Sequence, residues 1–162
     1  MERTRAILTQ TSSAVASPEA AVEALRASGR RASAARRLVL EALFAADGPM
    51  SADQIARGIG GRVPRSDLTS VYRNLETLEE VGLVSHVHLG HGPGLYALNL
   101  DGEREWLTCE RCGDFRAVDP ARLDGVRAAI EAAFGYRASF AHFPVVGLCE
   151  SCLSALGGSI ST

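Results

Sequence analysis

Lysine is missing from this chain altogether. All 17 of its basic residues are arginine, a bias of composition from which no function follows. Also missing is any run near the roughly 18–20 uninterrupted apolar residues of a membrane span. The first twenty residues, MERTRAILTQTSSAVASPEA, lack the hydrophobic stretch of a secretory signal. These absences predict a cytoplasmic protein with no membrane partner. No Ser/His/Asp set, phosphate-cradling glycine loop or activated nucleophile can be recognised, which argues against an enzyme. Nor is there a strong charge of either sign, the net value being −2. What is present is an ordinary globular composition, 46% apolar and 22% charged. A length of 162 residues suits one domain, or two very small ones held by something besides a hydrophobic core.

The small net charge conceals an uneven distribution. Residues 1–90 carry 11 Arg against 10 acids, and residues 91–162 carry 6 Arg against 9. Between residues 26 and 73 there are 9 Arg against only Glu41, Asp47, Asp53 and Asp67, a local excess of +5. The first half contains a basic segment suited to a polyanion, and the second half is acidic.

Residues 1–16 are polar and small, without a periodic apolar face, and read as a flexible tail, as do residues 158–162. Ser17-Pro18-Glu19 is a helix start, with an N-cap, a proline in the first turn and an acid beside it. The first helix spans 18–27 and a second runs from about Ser33 to Ala46. A third opens at the capping box Ser51-Ala-Asp-Gln54. The fourth, about Ser66 to Val81, places Leu68, Val71, Leu75 and Leu78 on one buried stripe. Thr69, Ser70 and Arg73 face the other way, with Tyr72 at the flank. Its front half is neutral or basic and its rear half acidic through Glu76, Glu79 and Glu80, the polarity of a recognition helix that enters a major groove by its N-terminal residues. After Gly82 the period changes to two. Residues 84–89 and Leu95-Tyr-Ala-Leu98, joined by a glycine-rich turn, predict a hairpin. Helices followed by a two-stranded hairpin make a winged helix-turn-helix. The reading is therefore α+β: a winged-helix DNA-binding domain over 17–90, a hinge over 91–100, and a small α+β dimerisation domain over 101–157. In the last, strands are expected near 104–108, 114–118 and 137–148, with helices at about Pro120–Phe134 and from Glu150.

Cys109-Glu-Arg-Cys112 and Cys149-Glu-Ser-Cys152 are two C-x-x-C knuckles separated by 36 residues. Each supplies two thiolates, and the pair closes a tetrahedral sphere, so the spacing predicts one structural Zn²⁺ per chain. The competing reading is a thiol-redox protein, but the βαβ background of a thioredoxin-like motif is absent.

Leu68-Thr-Ser-Val-Tyr-Arg-Asn-Leu75, continued by Glu-Thr-Leu-Glu-Glu-Val-Gly-Leu-Val84, resembles the recognition-helix signature of the Fur (ferric uptake regulator) family of metal-responsive bacterial repressors. Gly29-Arg-Arg-Ala-Ser-Ala-Ala-Arg36 resembles that family's entry motif, and the cysteine knuckles resemble its zinc knuckles. The match runs over about residues 18–157 in the family's order. It implies a homodimer whose second halves associate while paired winged helices bind double-stranded DNA at a palindromic, usually AT-rich operator. Tyr72 and Arg73 correspond to the family's DNA readers, with Thr69 and Ser70 beside them. Arg31 and Arg36 suit phosphate or minor-groove contact.

The sequence also departs from this family. Where members usually carry a His-rich sensory segment before the first knuckle, this chain has Glu103-Arg-Glu-Trp-Leu107. Ala97 replaces a hinge ligand, and Pro49 stands where a His often precedes the third helix. Two candidates for a second, regulatory divalent metal remain. Glu103 and Glu105 share a strand face and are expected to join Asp124 and His142, positions resembling a carboxylate-richer family site. His86 and His88 share a face of the wing strand, with roots about 6–7 Å apart. Zinc is the preferred second ion, because the iron-type histidine cluster is what is missing. A regulator that has lost metal sensing is the alternative.

Overall fold

The structure, a computed structural model, describes residues 17–60, 64–99, 102 and 104–157. The expected tails and Glu103 lie outside the described residues. The elements are α1 (Pro18–Ala27), α2 (Ala34–Ala45), β1 (Met50–Ser51), α3 (Ala52–Arg57), α4 (Leu68–Glu80), β2 (Val84–Val87), β3 (Leu95–Leu98), β4 (Glu105–Cys109), β5 (Phe115–Val118), a 3-10 turn (Pro120–Leu123), α5 (Asp124–Phe134), β6 (Val145–Gly147) and α6 (Glu150–Gly157).

Each of the first four helices begins where a short polar side chain caps it. The Ser17 hydroxyl accepts from the Ala20 N–H at 3.2 Å and the Ser33 hydroxyl from the Arg36 N–H at 3.3 Å. At α3 the capping is reciprocal: Ser51 Oγ accepts from the Gln54 N–H at 3.2 Å, and Gln54 Oε1 accepts from the Ser51 N–H at 2.7 Å. A six-residue helix has few internal hydrogen bonds, so this box carries much of its local stability. Ser51→Ala is expected to cost about 1 kcal/mol of unfolding free energy, read from the urea midpoint at unchanged slope.

Helix α4 starts two residues later than its sequence pattern suggests. Ser66 is held by its own N–H to the Ala56 carbonyl at 2.8 Å, and the Asp67 carboxylate takes the capping role by accepting from the Ser70 N–H at 2.8 Å. Leu68 thus falls in the first turn, 39% exposed, and not on the buried stripe expected for it. Gly82, at φ +74°, ends the helix. The Leu83 N–H reaches the Leu78 carbonyl and the Gly82 N–H that of Glu79, both at 2.9 Å, a paired closure that needs a left-handed residue between.

Leu25, Val39, Leu40, Ile55, Val71, Leu75 and Leu78 bury against one another to form the main core. Each contributes roughly 1.5–3 kcal/mol by leaving water. Strand β1, which the sequence pattern did not suggest, adds to the predicted hairpin and gives a three-stranded antiparallel sheet in the order β1-β3-β2. With helices α2 to α4 this is a winged helix-turn-helix.

The second half is a sheet in the order β5-β4-β6, with β4 antiparallel to β5 and parallel to β6. A parallel neighbour needs a long crossover, which α5 supplies. The strand expected over 137–148 shrinks to Val145–Gly147. Pro144 cannot donate to a ladder, and the segment before it turns away to the wing, where the His142 carbonyl accepts from the His88 N–H at 2.8 Å. Helix α5 buries none of its residues, while Val126, Phe134, Tyr136, Phe143, Val146, Leu153 and Leu156 are all exposed. The molecule is therefore an α+β chain with a well-filled first half and a thinly filled second half.

Candidate nucleic-acid interface and metal sites

Burying Val71, Leu75 and Leu78 turns the opposite side of α4 outward. Thr69, Tyr72 and Arg73 are exposed there, Tyr72 at 47%. Ser70 is half-buried and turned toward its own helix. Asn74 Nδ2 donates to the Ser70 carbonyl at 2.7 Å and lies 3.3 Å from its hydroxyl. Arg31 is exposed. Arg36, expected to suit phosphate or minor-groove contact, is engaged within the chain. Its Nη1 donates to the Arg31 carbonyl and its Nη2 to Thr77 Oγ1 at 3.3 Å, so the guanidinium ties α2 to α4. What α4 offers a polyanion is its first two turns. Its rear is engaged within the chain, by Arg30 on Glu80 at 2.8 Å and by Glu79 on His86.

The four cysteines meet. Parallel pairing of β4 and β6 sets Cys109 opposite Gly147, which brings the ends of the two strands, and hence both knuckles, side by side. At the first knuckle Gly113, at φ +75°, lets the chain turn back, its N–H bonded to the Cys109 carbonyl at 2.8 Å. The second knuckle runs into α6, where the Leu153 N–H reaches the Cys149 carbonyl at 2.9 Å. The four sulfurs lie within 4.8 Å of one another, and Cys112 Sγ and Cys149 Sγ are 3.8 Å apart. A tetrahedron with metal–sulfur bonds of about 2.3 Å has edges of about 3.8 Å, so the donor set fits zinc in both chemistry and size. The electrostatics agree. Backbone N–H groups, first of Cys112 and then of Cys149, hold the Cys109 thiol down to about 6. The Cys149 thiol beside it, followed by burial, pushes Cys152 up to about 12. Thiolates crowded in this way repel, and a divalent cation is what allows all four to ionise together.

The regulatory candidates are regrouped. Glu105 and Asp124 converge on Arg127: Nη2 of Arg127 donates to Glu105 Oε1, and Nη1 to Asp124 Oδ1 at 2.8 Å. Glu105 is only 6% exposed, and the carboxylate beside Arg127 holds that guanidinium above its usual range. Arg127, three residues after Asp124 and 22 after Glu105, has thus claimed both carboxylates, and Glu103 lies outside the described residues. Of the expected set, the described members Glu105, Asp124 and His142 do not gather at ligand distance. His142 instead meets the wing. The rings of His86 and His88 are 5.1 Å apart between centroids, and those of His86 and His142 5.6 Å. His86 and His142 border a cavity of about 530 Å³ that Glu79, Glu105 and Arg127 also line. Among the described residues only the four cysteines already lie at mutual ligand distance, so the three imidazoles converge without closing on one point. Glu79 and Arg127 were not singled out from the sequence. Both act on partners brought close by tertiary folding, and neither stands in a motif.

The comparisons with known proteins agree with this geometry. The model of the ferric uptake regulator family matches residues 27–142, well over half of the chain. The peroxide operon regulator of Bacillus subtilis is 26% identical over 132 residues, covering 82% of this chain and 90% of its own. Among solved structures, a zinc uptake regulator complexed with zinc and DNA superposes with a TM-score of 0.62 at 22% identity, covering 86% of this chain and 95% of that one. The Helicobacter pylori ferric uptake regulator gives 0.61 at 21% identity, covering 85% and 94%. The matched span runs from the end of α1 through the recognition helix, wing and first knuckle to His142, and the chain belongs to the ferric uptake regulator family of metal-responsive transcription regulators.

Proposed function

We propose that the chain is a cytoplasmic, sequence-specific DNA-binding repressor that acts as a homodimer on a palindromic operator. It carries one structural zinc on Cys109, Cys112, Cys149 and Cys152 and binds a second divalent ion through His86, His88 and His142. The observation that carries this reading is α4: its back is buried in the winged-helix core, and its exposed front presents Thr69, Tyr72 and Arg73, with Arg31 exposed elsewhere on the same basic segment. The bare apolar surface of the second half, from Val126 and Phe134 to Leu153 and Leu156, is what a second copy would cover. The similar zinc uptake regulator solved with zinc and DNA supports the same assignment.

Imidazole donors suit zinc, nickel, copper or iron over magnesium or calcium. His86 and His88 sit on the wing and His142 on the second half, so drawing the three together fixes the angle between the halves. The Glu79 carboxylate bonds His86 Nδ1 and so orients the ring, making Nε2 the nitrogen that would bind the ion. Because Glu79 belongs to α4, the same contact leads from the imidazoles to the recognition helix.

The test is operator affinity measured before and after mild chelation that leaves the cysteine-bound zinc in place. Adding back zinc or nickel should tighten binding at least about fivefold, within the usual range of allosteric coupling. The double change His86→Ala with His142→Ala should remove that response and leave the zinc content at one per chain. Pro49, Ala97 and Trp106 favour the alternative of a regulator without metal sensing, and unchanged affinity after chelation would establish it.

A further inference from the structure

The wing sheet is covered on both faces, by two different chemistries. On β2, residues 84 and 86 point one way: Val84 joins the main core and His86 turns toward His142, with His88, just past the strand, against His86 and Phe143. Val87 points the other way, together with its ladder partner Leu95 and with Ala97. In a winged helix standing alone this second face would meet water. Here Val87 is 2% exposed and Ala97 8%, because Trp106 of β4 and Phe115 of β5 lie across them. Trp106 is itself 8% exposed, and its ring meets that of Phe115 edge-on at 6.3 Å. The turn after α2 closes the same joint. A Cβ placed at Gly48 would stand in ordinary contact with that of Phe115, at 4.0 Å, and Phe44, Asp47 and Gly48 border a small cavity together with Ala97 and Trp106. One indole thus contacts the wing and its own sheet and lies beside the end of α2, and the side chains packed against it, Val87, Leu95, Ala97 and Phe115, are all apolar.

We infer that Trp106 is a positioning residue that serves as the fixed pivot between the two halves. Its apolar packing holds the wing on the second half whether or not the imidazoles carry an ion, so that metal acts only on the opposite face of β2, as a latch swinging about this pivot. The inference rests on the proposed DNA-binding function for its effect on the operator, but the joint itself can be observed without DNA. Apolar contact of this kind has no chelatable component and is not sensitive to competing ligands.

Trp106 is the chain's single tryptophan, so its fluorescence reports on the joint alone. In the full-length, zinc-containing protein, mild chelation should leave its emission maximum and its quenching by acrylamide unchanged. Trp106→Ala should weaken operator binding tenfold or more both with and without added zinc, and should speed proteolytic cleavage between the halves, while zinc stays at one per chain. Trp106→Phe, which keeps a ring in the joint, should recover affinity to within threefold of the natural protein. A red shift and stronger quenching on chelation would show that the joint opens with the metal and would overturn the pivot. So would a Trp106→Ala protein as protease-resistant as the parent. If no form of the protein binds DNA, the repressor assignment fails, while emission and proteolysis still decide the pivot.

Discussion

Cys149→Ser will strip the chain of the proposed structural zinc and unfold the second half. The reason lies in how little else holds that half. Among its described residues Glu105, Trp106, Thr108, Cys109 and Pro144 are buried, and α5 contributes nothing to a core within the chain. Four-ligand zinc sites in small domains supply an apparent 10–16 kcal/mol or so, comparable to the roughly 5–15 kcal/mol that separates a typical domain from its unfolded state. Removing one thiolate also leaves the other three without the cation that lets them ionise together. The expected result is less than 0.1 zinc per chain and loss of the cooperative melting of the second half, with a separate transition kept for the helical core around Leu40 and Leu75. A serine variant that retains full zinc and melts like the parent would sink the assignment.

Arg73→Ala will reduce discrimination between operator and random DNA by about 1–3 kcal/mol, or roughly 5- to 150-fold. Arg73 stands on the exposed front of α4, and its guanidinium is matched to the paired acceptors on the major-groove edge of guanine. Comparing the two DNAs matters more than the absolute loss. Equal weakening on both, with a shallower salt dependence, would reassign Arg73 to phosphate contact. Arg36→Ala should behave differently. Its two terminal nitrogens hold the Arg31 carbonyl and Thr77, so its loss frees α4 from α2 and should appear as lower thermal stability as well as weaker binding.

The parts of this molecule that were legible in the sequence are those written within a few residues. Ser51 and Gln54 are three apart and cap α3 as their spacing suggests. Each cysteine knuckle is four residues long, and two knuckles in one chain leave little choice of chemistry. The parts that were not legible depend on distant contacts. Strict alternation on β2 would bury one parity, yet both Val84 and Val87 are buried, because helices cover one face and Trp106 the other. Leu68 has the right phase for the core of α4 but lies in a first turn that the core does not reach. Glu105 looked like one of several metal-binding carboxylates and proves to be a buried partner of Arg127, a basic residue with no motif to announce it. His142, assigned with those carboxylates, reaches the wing because Pro144 and the turn before it break the strand in which it was placed.

The parallel pairing of β4 with β6 has a kinetic consequence. The two knuckles cannot meet until the 36 residues between Cys112 and Cys149 have been made and folded across, and a loop of that length must close before its contacts reward the loss of chain entropy. On the ribosome, the winged helix emerges and can form from local contacts while Cys109 and Cys112 still wait as an open two-thiol claw. Metal capture at the full site is therefore a late step of biogenesis, gated by translation of Cys152, and with the proposed zinc in short supply, chains would accumulate with the winged helix folded but not the second half.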